Sequence, residues 1–538
     1  MSKTAEQQDA NKQTGKGLSN VTLLLLTFAL AIIYFVFSRF SNGFYMHDEV
    51  ANFIGMQNFW GDPASILGAN AKTGYKLFFV LPALGGYIGI QFFNSLLAAF
   101  TVYFSYKILQ LLHSRHSLLI FFLLGIQPLW FMLSFRSYAE ILIAFLLVFA
   151  AFQHLNKKYI FTALILSYMA FTRQEFHIIS GLYFLYLIFN KKWLAALLTG
   201  SFTVLNFLIG FALTGDILSV PKDIMEYSNR IKDAYPRQGF NHYFLMSSVI
   251  FGSASVVLFV NYIGAAVTKR LKPYWIILVP TILIFLLNCT FNAQFIEFGP
   301  GNGGNLRYLL TIAPFISILG ILSLNITIDN TKRWNLLIYL LPLLIMIGIF
   351  QSHEHNFIKL DPETTNWTAL IYALLTVILL VIPLKPKHYL YFFVAISIGI
   401  GASIIDTRQI LPEEQTVKKA AKWFNSQLKL AKNPQPGKQV LITEDSRIAV
   451  EHALFYFYAG KTKNDFKNKP VQLTKETTDS LKVGDVVIWE SHYGYRPKLR
   501  PTSQNYDYYE NDPKYQKIQY YQSKDRRFTI VFFLRVKE

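Results

Sequence analysis

Two carboxylates stand side by side in Met46-His47-Asp48-Glu49-Val50, directly after the first apolar run and at the start of a predicted short helix, Val50 to Trp60. A carboxylate held against a hydroxyl can take its proton as a bond forms, help worth about 10² to 10⁴ in rate. Lys72-Thr73-Gly74-Tyr75-Lys76 follows and leads into an apolar stretch with Pro and Gly, Leu77 to Gly86, so acids and lysines meet at one boundary between water and lipid. Ammonium groups fixed at such a place stabilise negative charge. Further along, Arg136, Arg173 and Arg307 also stand at the edges of apolar runs. Charges at the edge of a lipid layer are costly and are mostly retained for function. Each also has a structural reading: loop carboxylates are commonly solvated, Arg136 and Glu140 have i, i+4 spacing, and Arg173 and Glu175 are near enough for a local pair.

Such residues need elements that bring them to one height, and composition indicates which. Of 538 residues, 53% are hydrophobic and only 15% charged, against about 25% charged in a soluble domain. Apolar stretches near 20 residues, each long enough to cross a hydrocarbon layer as a helix, are expected near 19–38, 85–111, 117–133, 137–154, 159–172, 176–190, 193–214, 243–267, 274–291, 307–327, 335–351, 367–384 and 388–405. The predicted architecture is a polytopic α-helical membrane protein of about 13 spans. The fifth and sixth are short enough to be half-spans meeting inside the bilayer.

Lys and Arg concentrate on the cytoplasmic side of membrane proteins. With residues 1–18 as a cytoplasmic tail, the connections predicted to face the cytoplasm are His113-Ser114-Arg115-His116, Lys157-Lys158, Lys191-Lys192, Lys269-Arg270-Leu271-Lys272, Lys332-Arg333 and Lys385-Pro386-Lys387, none containing an acid. The opposite connections carry Asp48-Glu49, Glu297 and the segment 353–363; the outer loop Gly215 to His242 has balanced charge. This clustering accounts for the formal charge of +19 without nucleic acid.

After residue 410 the composition becomes that of a soluble domain. Glu413 to Leu430 reads as an amphipathic helix, and Gln439–Thr443, Asp485–Glu490, Tyr515–Gln522 and Thr529–Val536 read as strands. The expected domains are a transmembrane unit over 19–410, with its first outer loop at 39–84, and a small α/β domain over 411–538, which an odd number of spans places outside the cell. Cys289 is the single cysteine, so neither an internal disulfide nor a cysteine-based zinc site is possible. His353-Glu354-His355 has two metal-ligating imidazoles but no third ligand near it in sequence. Glu297, beside Gly299-Pro300-Gly301-Asn302-Gly303-Gly304, suits a mobile lid or a flexible connector; Tyr506, Tyr508 and Tyr509 suit sugar stacking or simple packing.

Taken in order, these features resemble the C-type membrane glycosyltransferases, and within them the branch of protein O-mannosyltransferases and aminoarabinose transferases of lipid A. The likeness rests on the Asp48-Glu49 pair beyond a first helix, the Trp60-Gly61-Asp62 turn, the entry into Leu77-Phe78-Phe79 and a long second span. Ser134-Phe135-Arg136-Ser137-Tyr138-Ala139-Glu140, Phe171-Thr172-Arg173-Gln174-Glu175, Arg307-Tyr308-Leu309-Leu310 with Pro314, and the terminal α/β domain agree with it. Two positions depart: many relatives have a double proline at Gly74-Tyr75 and a proline at Gln174. The signatures Asp-x-Asp and Trp-Trp-Asp of oligosaccharyltransferases are absent from the sequence.

The resemblance implies an inverting glycosyltransferase with a polyprenyl-phosphate-linked sugar as donor substrate and an extracytoplasmic hydroxyl on lipid, glycan or protein as acceptor. Asp48, with Glu49 beside it, would be the catalytic base. Lys72, Lys76, Arg136, Arg173 and Arg307 would hold the donor phosphate, and His47, Glu140, Glu175, Glu297 and Tyr308 would line the cavity. No cofactor is required on this reading, a divalent metal is not expected, and the enzyme would sit in a bacterial cytoplasmic membrane. A polytopic transporter or flippase for lipid-linked glycans is the alternative. It is disfavoured because the sequence shows no internal repeat and its charges gather at one face, whereas transport sites lie near the midplane. A ligase using a lipid-pyrophosphate carrier is a second rival, one that would not need the early Asp-Glu loop.

Overall fold

A computed structural model describes residues 18–41, 43–67, 72–231, 237–293, 303–325, 371, 374–375, 378–379, 410–497 and 500–537. The first long helix, α1 (Asn20–Ser38), starts where the Ser19 side chain accepts a hydrogen bond from the Thr22 amide at 3.1 Å, satisfying one of the four donors that a helix start leaves over. Two short helices follow, α2 (His47–Asn58) and α3 (Thr73–Phe79), and then α4 (Gly86–Leu111), α5 (Ala139–Leu155), α6 (Tyr159–Thr172), α7 (His177–Phe189), α8 (Ser201–Thr214), α9 (Ser253–Val267), α10 (Trp275–Asn292) and α11 (Ala313–Ser323).

Among the described residues five segments are long and apolar enough to cross a membrane: Asn20–Ser38, Pro82–Leu111, Trp193–Thr214, Trp275–Asn292 and Leu306–Ser323; α5, α6, α9 and the segment Gln174–Phe189 that holds α7 are shorter apolar helices. Helix α4 is the second layer, packed between α1 and α5, while α6 packs on α5 and α9 on α11. Every residue of α11 is buried, which makes it the inner helix. Hydroxyls inside α4 are satisfied within the helix: Ser95 donates to Gln91 O at 2.8 Å, Thr101 to Leu97 O at 2.7 Å and Ser105 to Thr101 O at 2.7 Å. Lipid offers no other partner.

The helix limits at 86–111, 139–155, 159–172, 177–189 and 275–292 fall within two residues of the expected ones. Among the described residues four expected spans are instead broken. One, 193–214, divides at Thr199-Gly200 into Trp193–Leu198 and α8. Residues 117–133 divide into short pieces around Gly125 and Pro128, and 243–267 divides at Gly252, whose φ of 81° a helix cannot hold. Residues 307–327 begin as a 3₁₀ segment, Leu306–Ile312. The expected spans at 335–351 and 388–405, and nearly all of 367–384, lie outside the described residues.

Four helices end in one kind of turn. His113, Lys157, Lys191 and Lys269 each follow a helix C-cap with φ between 55° and 60°. In each case the amide bonds back three residues and the next amide five residues, as in Lys157 N to His154 O at 2.8 Å and Lys158 N to Gln153 O at 2.9 Å. This is the paired closure of a Schellman motif, with a basic side chain where glycine is usual. A cation at a helix C-terminus complements the dipole. Near the first of these turns, Leu18 N donates to Tyr106 Oη at 3.1 Å and Arg115 N to Asn325 Oδ1 at 3.2 Å, which places the start of α1, the end of α4 and the segment after α11 at one end of the bundle.

The C-terminal part begins with α12 (Pro412–Lys432), which carries Glu413 and Glu414 in its first turn and Lys429 and Lys432 in its last, the favourable sense for the dipole. Four strands, β1 (Ile448–Val450), β2 (Val486–Glu490), β3 (Tyr515–Gln522) and β4 (Thr529–Arg535), form a sheet in the order β1-β2-β4-β3, with β1 parallel to β2 and the other pairs antiparallel. Helix α13 (Ala453–Ala459) lies in the crossover between the two parallel strands. The strand expected at Gln439–Thr443 does not form. Leu441 N is taken by Gln427 Oε1 at 3.0 Å and the Thr443 amide by Ser446 Oγ at 3.2 Å, so the parallel pairing starts later, at Ile448. Along β4, Ile530 and Phe532 face α12, where Trp423 meets Phe532 at 4.7 Å, while Val531 and Phe533 face the other side, as strand alternation requires. Tyr506 and Tyr509 pack on that second side against Phe533 and Trp489, and the Tyr508 hydroxyl donates to Asp479 at 3.0 Å. All three tyrosines thus contribute to packing, Tyr506 and Tyr508 while only partly buried.

Candidate active site

Helix α2 begins with both acids in its first turn, where the positive end of the dipole favours them. Successive helical positions diverge by about 100°, so adjacent carboxylates must face different surroundings. Glu49 is buried: its Oε2 accepts from Tyr45 N at 2.7 Å and from Arg136 Nη1 at 3.2 Å, and its Oε1 from the Tyr87 hydroxyl. Arg136 completes the knot by donating to Gly43 O at 2.9 Å, Ser41 Oγ at 2.7 Å and Met132 O at 3.1 Å. Its partner is Glu49 rather than Glu140, and the pair fastens the loop before α2 to the start of α5.

Asp48 turns the other way. Its Oδ2 accepts from Arg307 Nη2 at 2.7 Å, and 51% of the side chain stays accessible, against 2% of Arg307. The guanidinium of Arg307 lies over the Tyr138 ring at 4.4 Å and touches the Tyr308 ring at 5.4 Å. Arg173 meets Tyr308 at 5.0 Å, donates to Glu140 Oε1 at 2.7 Å and also pairs with Glu175. Glu140 Oε1 is 3.5 Å from Arg307 Nε, which leaves Arg307 Nε and Glu140 Oε2 buried without a hydrogen bond. Burial opposes the charge on Asp48, but Arg307 and Lys72 outweigh it and hold the carboxyl below its ordinary value.

The two lysines are placed by α3. Lys72, at its N-cap, has φ 51°, a left-handed conformation that costs a residue with a side chain. Burial lowers the pKa of its ammonium, which lies within electrostatic reach of Glu140, Arg307, Asp48 and Arg173. Lys76 is buried beside Gly55, where an added Cβ would come 2.9 Å from its Nζ. Among the described residues no carboxylate pairs with it, and burial together with Lys72 brings it down to about 8. Gly74 sets the seat of α3: a Cβ there would lie 2.8 Å from Phe171 and 2.9 Å from the Thr172 amide, and Tyr168 donates to its carbonyl at 2.8 Å.

Asp48, Lys72, Glu140, Arg173, Glu175, Arg307 and Tyr308 thus form one connected group, with Glu49 and Arg136 as a second knot on its flank and Lys76 below Lys72. Glu297, like His353 and His355, lies outside the described residues. His47 faces the C-terminal domain instead. Its Nε2 is 3.3 Å from Glu413 Oε1, which also lies 2.9 Å from His452 Nε2 and 2.9 Å from His492 Nδ1. Nothing in the spacing of residues 47, 413, 452 and 492 announces this meeting. The same domain grips the far end of α2, where Lys463 N donates to Asn58 Oδ1 at 3.1 Å and Asn464 Nδ2 to Asn58 O at 3.2 Å, and Phe457 packs on Phe44 at 4.9 Å.

No family model matches the chain, and no curated protein does. Among solved structures, ArnT from Cupriavidus metallidurans bound to undecaprenyl phosphate is similar over 96% of this chain and 98% of its own, with a TM-score of 0.56 and 11% sequence identity. The apo form of the same protein is similar over 95% and 98%, with a TM-score of 0.53 and 11% identity. Helix bundle, outer loop and terminal sheet together therefore give this chain, over nearly its whole length, the fold seen in ArnT.

Proposed function

We propose that the protein is an inverting glycosyltransferase that moves a sugar, hexosyl or pentosyl, from a polyprenyl-phosphate-linked donor to an extracytoplasmic hydroxyl on a lipid, glycan or protein. The observation that carries this reading is the half-exposed Asp48 carboxylate, fixed at 2.7 Å by the buried Arg307, with two further cations close by. The ArnT structure bound to undecaprenyl phosphate supports the class of donor.

In the reaction the acceptor oxygen attacks the anomeric carbon, the bond from that carbon to the phosphate oxygen breaks with its electron pair going to the phosphate, and the hydroxyl proton passes to Asp48. A single displacement of this kind inverts the centre. Arg307, Lys72 and Lys76 hold the departing phosphate, with Arg173 ordering Tyr308 and Glu140 beside it; cations fixed in advance act where charge develops. The unused Arg307 Nε and Glu140 Oε2 supply one donor and one acceptor for the substrate. Glu49 and Arg136 keep the loop in place. The site occupies the end of the bundle away from the basic turns, which supports a site and a terminal domain outside the cytoplasm; the membrane proposed is a bacterial cytoplasmic one. The transfer itself calls on no metal.

Incubation of the purified protein with radiolabelled polyprenyl-phosphate sugars and a cell-envelope extract tests the reading. Label should move to an envelope acceptor with release of polyprenyl phosphate. Movement of the lipid across a vesicle without transfer would establish the flippase instead.

A further inference from the structure

Three imidazole nitrogens and one carboxylate oxygen converge where the first outer loop meets the C-terminal domain. His47 Nε2, His452 Nε2 and His492 Nδ1 stand 3.3, 2.9 and 2.9 Å from the same atom, Glu413 Oε1. The ligand atoms of His47, Glu413 and His452 all lie within 4.8 Å of one another. A carboxylate oxygen has only two lone pairs, so three hydrogen bonds to it exceed its capacity, while Oε2 of the same group has no hydrogen-bond partner among the described residues. A cation at the centre resolves the mismatch. Bonds of about 2.0–2.2 Å to nitrogen and oxygen in a tetrahedron put neighbouring ligand atoms about 3.3 Å apart, close to the distances from Glu413 Oε1 to each of the three nitrogens.

We propose that His47, Glu413, His452 and His492 form a binding site for a first-row divalent cation, zinc foremost, which ties the terminal domain to the residue next to Asp48. The donor set suits this class: imidazole favours zinc and its neighbours over magnesium or calcium, which take oxygen. The surroundings orient the ligands. Glu490 accepts the amides of His492 and Tyr493 at 2.7 Å each, fixing that turn, and the Tyr493 ring stacks on His492 at 4.2 Å. Glu413 is held by the first turn of α12, and His452 stands directly before α13. Binding through His452 Nε2 puts the ring proton on Nδ1, so metal binding gives up the 3.3 Å hydrogen bond that Nδ1 accepts from Leu454 N. The role is structural: one cation links an element of the membrane unit to three separate segments of the sheet domain.

The test uses the full-length protein in detergent, stripped with a chelator, dialysed against zinc chloride and washed, with metal counted by mass spectrometry. About one zinc per chain is expected, falling at least about tenfold in both His47→Ala and Glu413→Gln, as loss of a ligand predicts. Cobalt(II) in place of zinc should give the intense visible absorption of a tetrahedral site in wild type only, and zinc should raise the Tm of wild type but not of His492→Ala. Retention of zinc by both variants, or a wild type that takes up none at excess zinc, overturns the proposal and leaves a hydrogen-bonded cluster. Because none of these readouts uses sugar transfer, their failure is separate from any failure of the glycosyltransferase reading.

Discussion

The two ends of the helix bundle treat charge in opposite ways. Where α1 begins, His113, Lys157, Lys191 and Lys269 are exposed and occupy left-handed turns. At the other end, Arg136, Arg307 and Lys76 are buried, as are Glu49 and Glu140, and all but Lys76 contact a charged partner. Exposed charge at a lipid boundary costs little and sets orientation; buried charge costs several kcal/mol per ion unless it is paired. Only the second arrangement needs a chemical reason, and within it Asp48 alone among the paired acids of α2 keeps open surface.

Replacing that acid should break the contrast most sharply. Asp48→Asn is expected to reduce transfer by about 10² to 10⁴ with the thermal unfolding of the detergent-solubilised protein unchanged; near-normal turnover would remove the base. Next in size is Glu49→Gln, which leaves Arg136 buried without its counter-charge and should cost about 3–5 kcal/mol, read as a large fall in Tm along with activity. If both variants lost activity at full stability, the division of labour between the two acids would be wrong. Arg307→Lys should raise the donor KM about tenfold, the size of one charge-assisted hydrogen bond, with the acceptor KM little changed.

A pH profile sharpens the same contrast. Asp48 must be ionised and is held below its ordinary value, so its limb should fall at lower pH than a free carboxylate would give. Lys76 must be protonated to hold phosphate and loses its proton near 8, so donor KM should climb as pH rises through that value, and Lys76→Met should abolish the climb. The smallest effect belongs to the opposite end. Lys157→Gly relieves a positive φ while removing one of several charges, and should shift stability by no more than about 0.5 kcal/mol, measured by thermal unfolding.

Helix positions were readable because lipid imposes a single rule, an apolar run of sufficient length. The limits of α6, 159–172, coincide with the expectation. Breaks at Gly252 and Gly125 escaped notice, since an apolar run looks the same whether or not a glycine inside it leaves the helical conformation. The charged residues of the site were visible as types at boundaries, yet their partners were not. Arg136 has i, i+4 spacing to Glu140 but reaches Glu49 across 87 positions, a choice made by the packing of α5 against the loop before α2. From the sequence His47 is expected to line the cavity beside Asp48; its meeting with Glu413, His452 and His492 depends on how the terminal domain docks, which no local pattern encodes.

One missing methyl group fixes much of this geometry. Because Gly74 rests against the Phe171 ring and the hydroxyl and amide of Thr172 with no room for a Cβ, the distance from α3 to α6 is a gauge that sets how high Lys72 and Lys76 ride relative to Arg173. Alanine at this position would lift the whole short helix, carrying both ammonium groups with it. The reach of the site toward a phosphate is thus calibrated by an atom the chain omits.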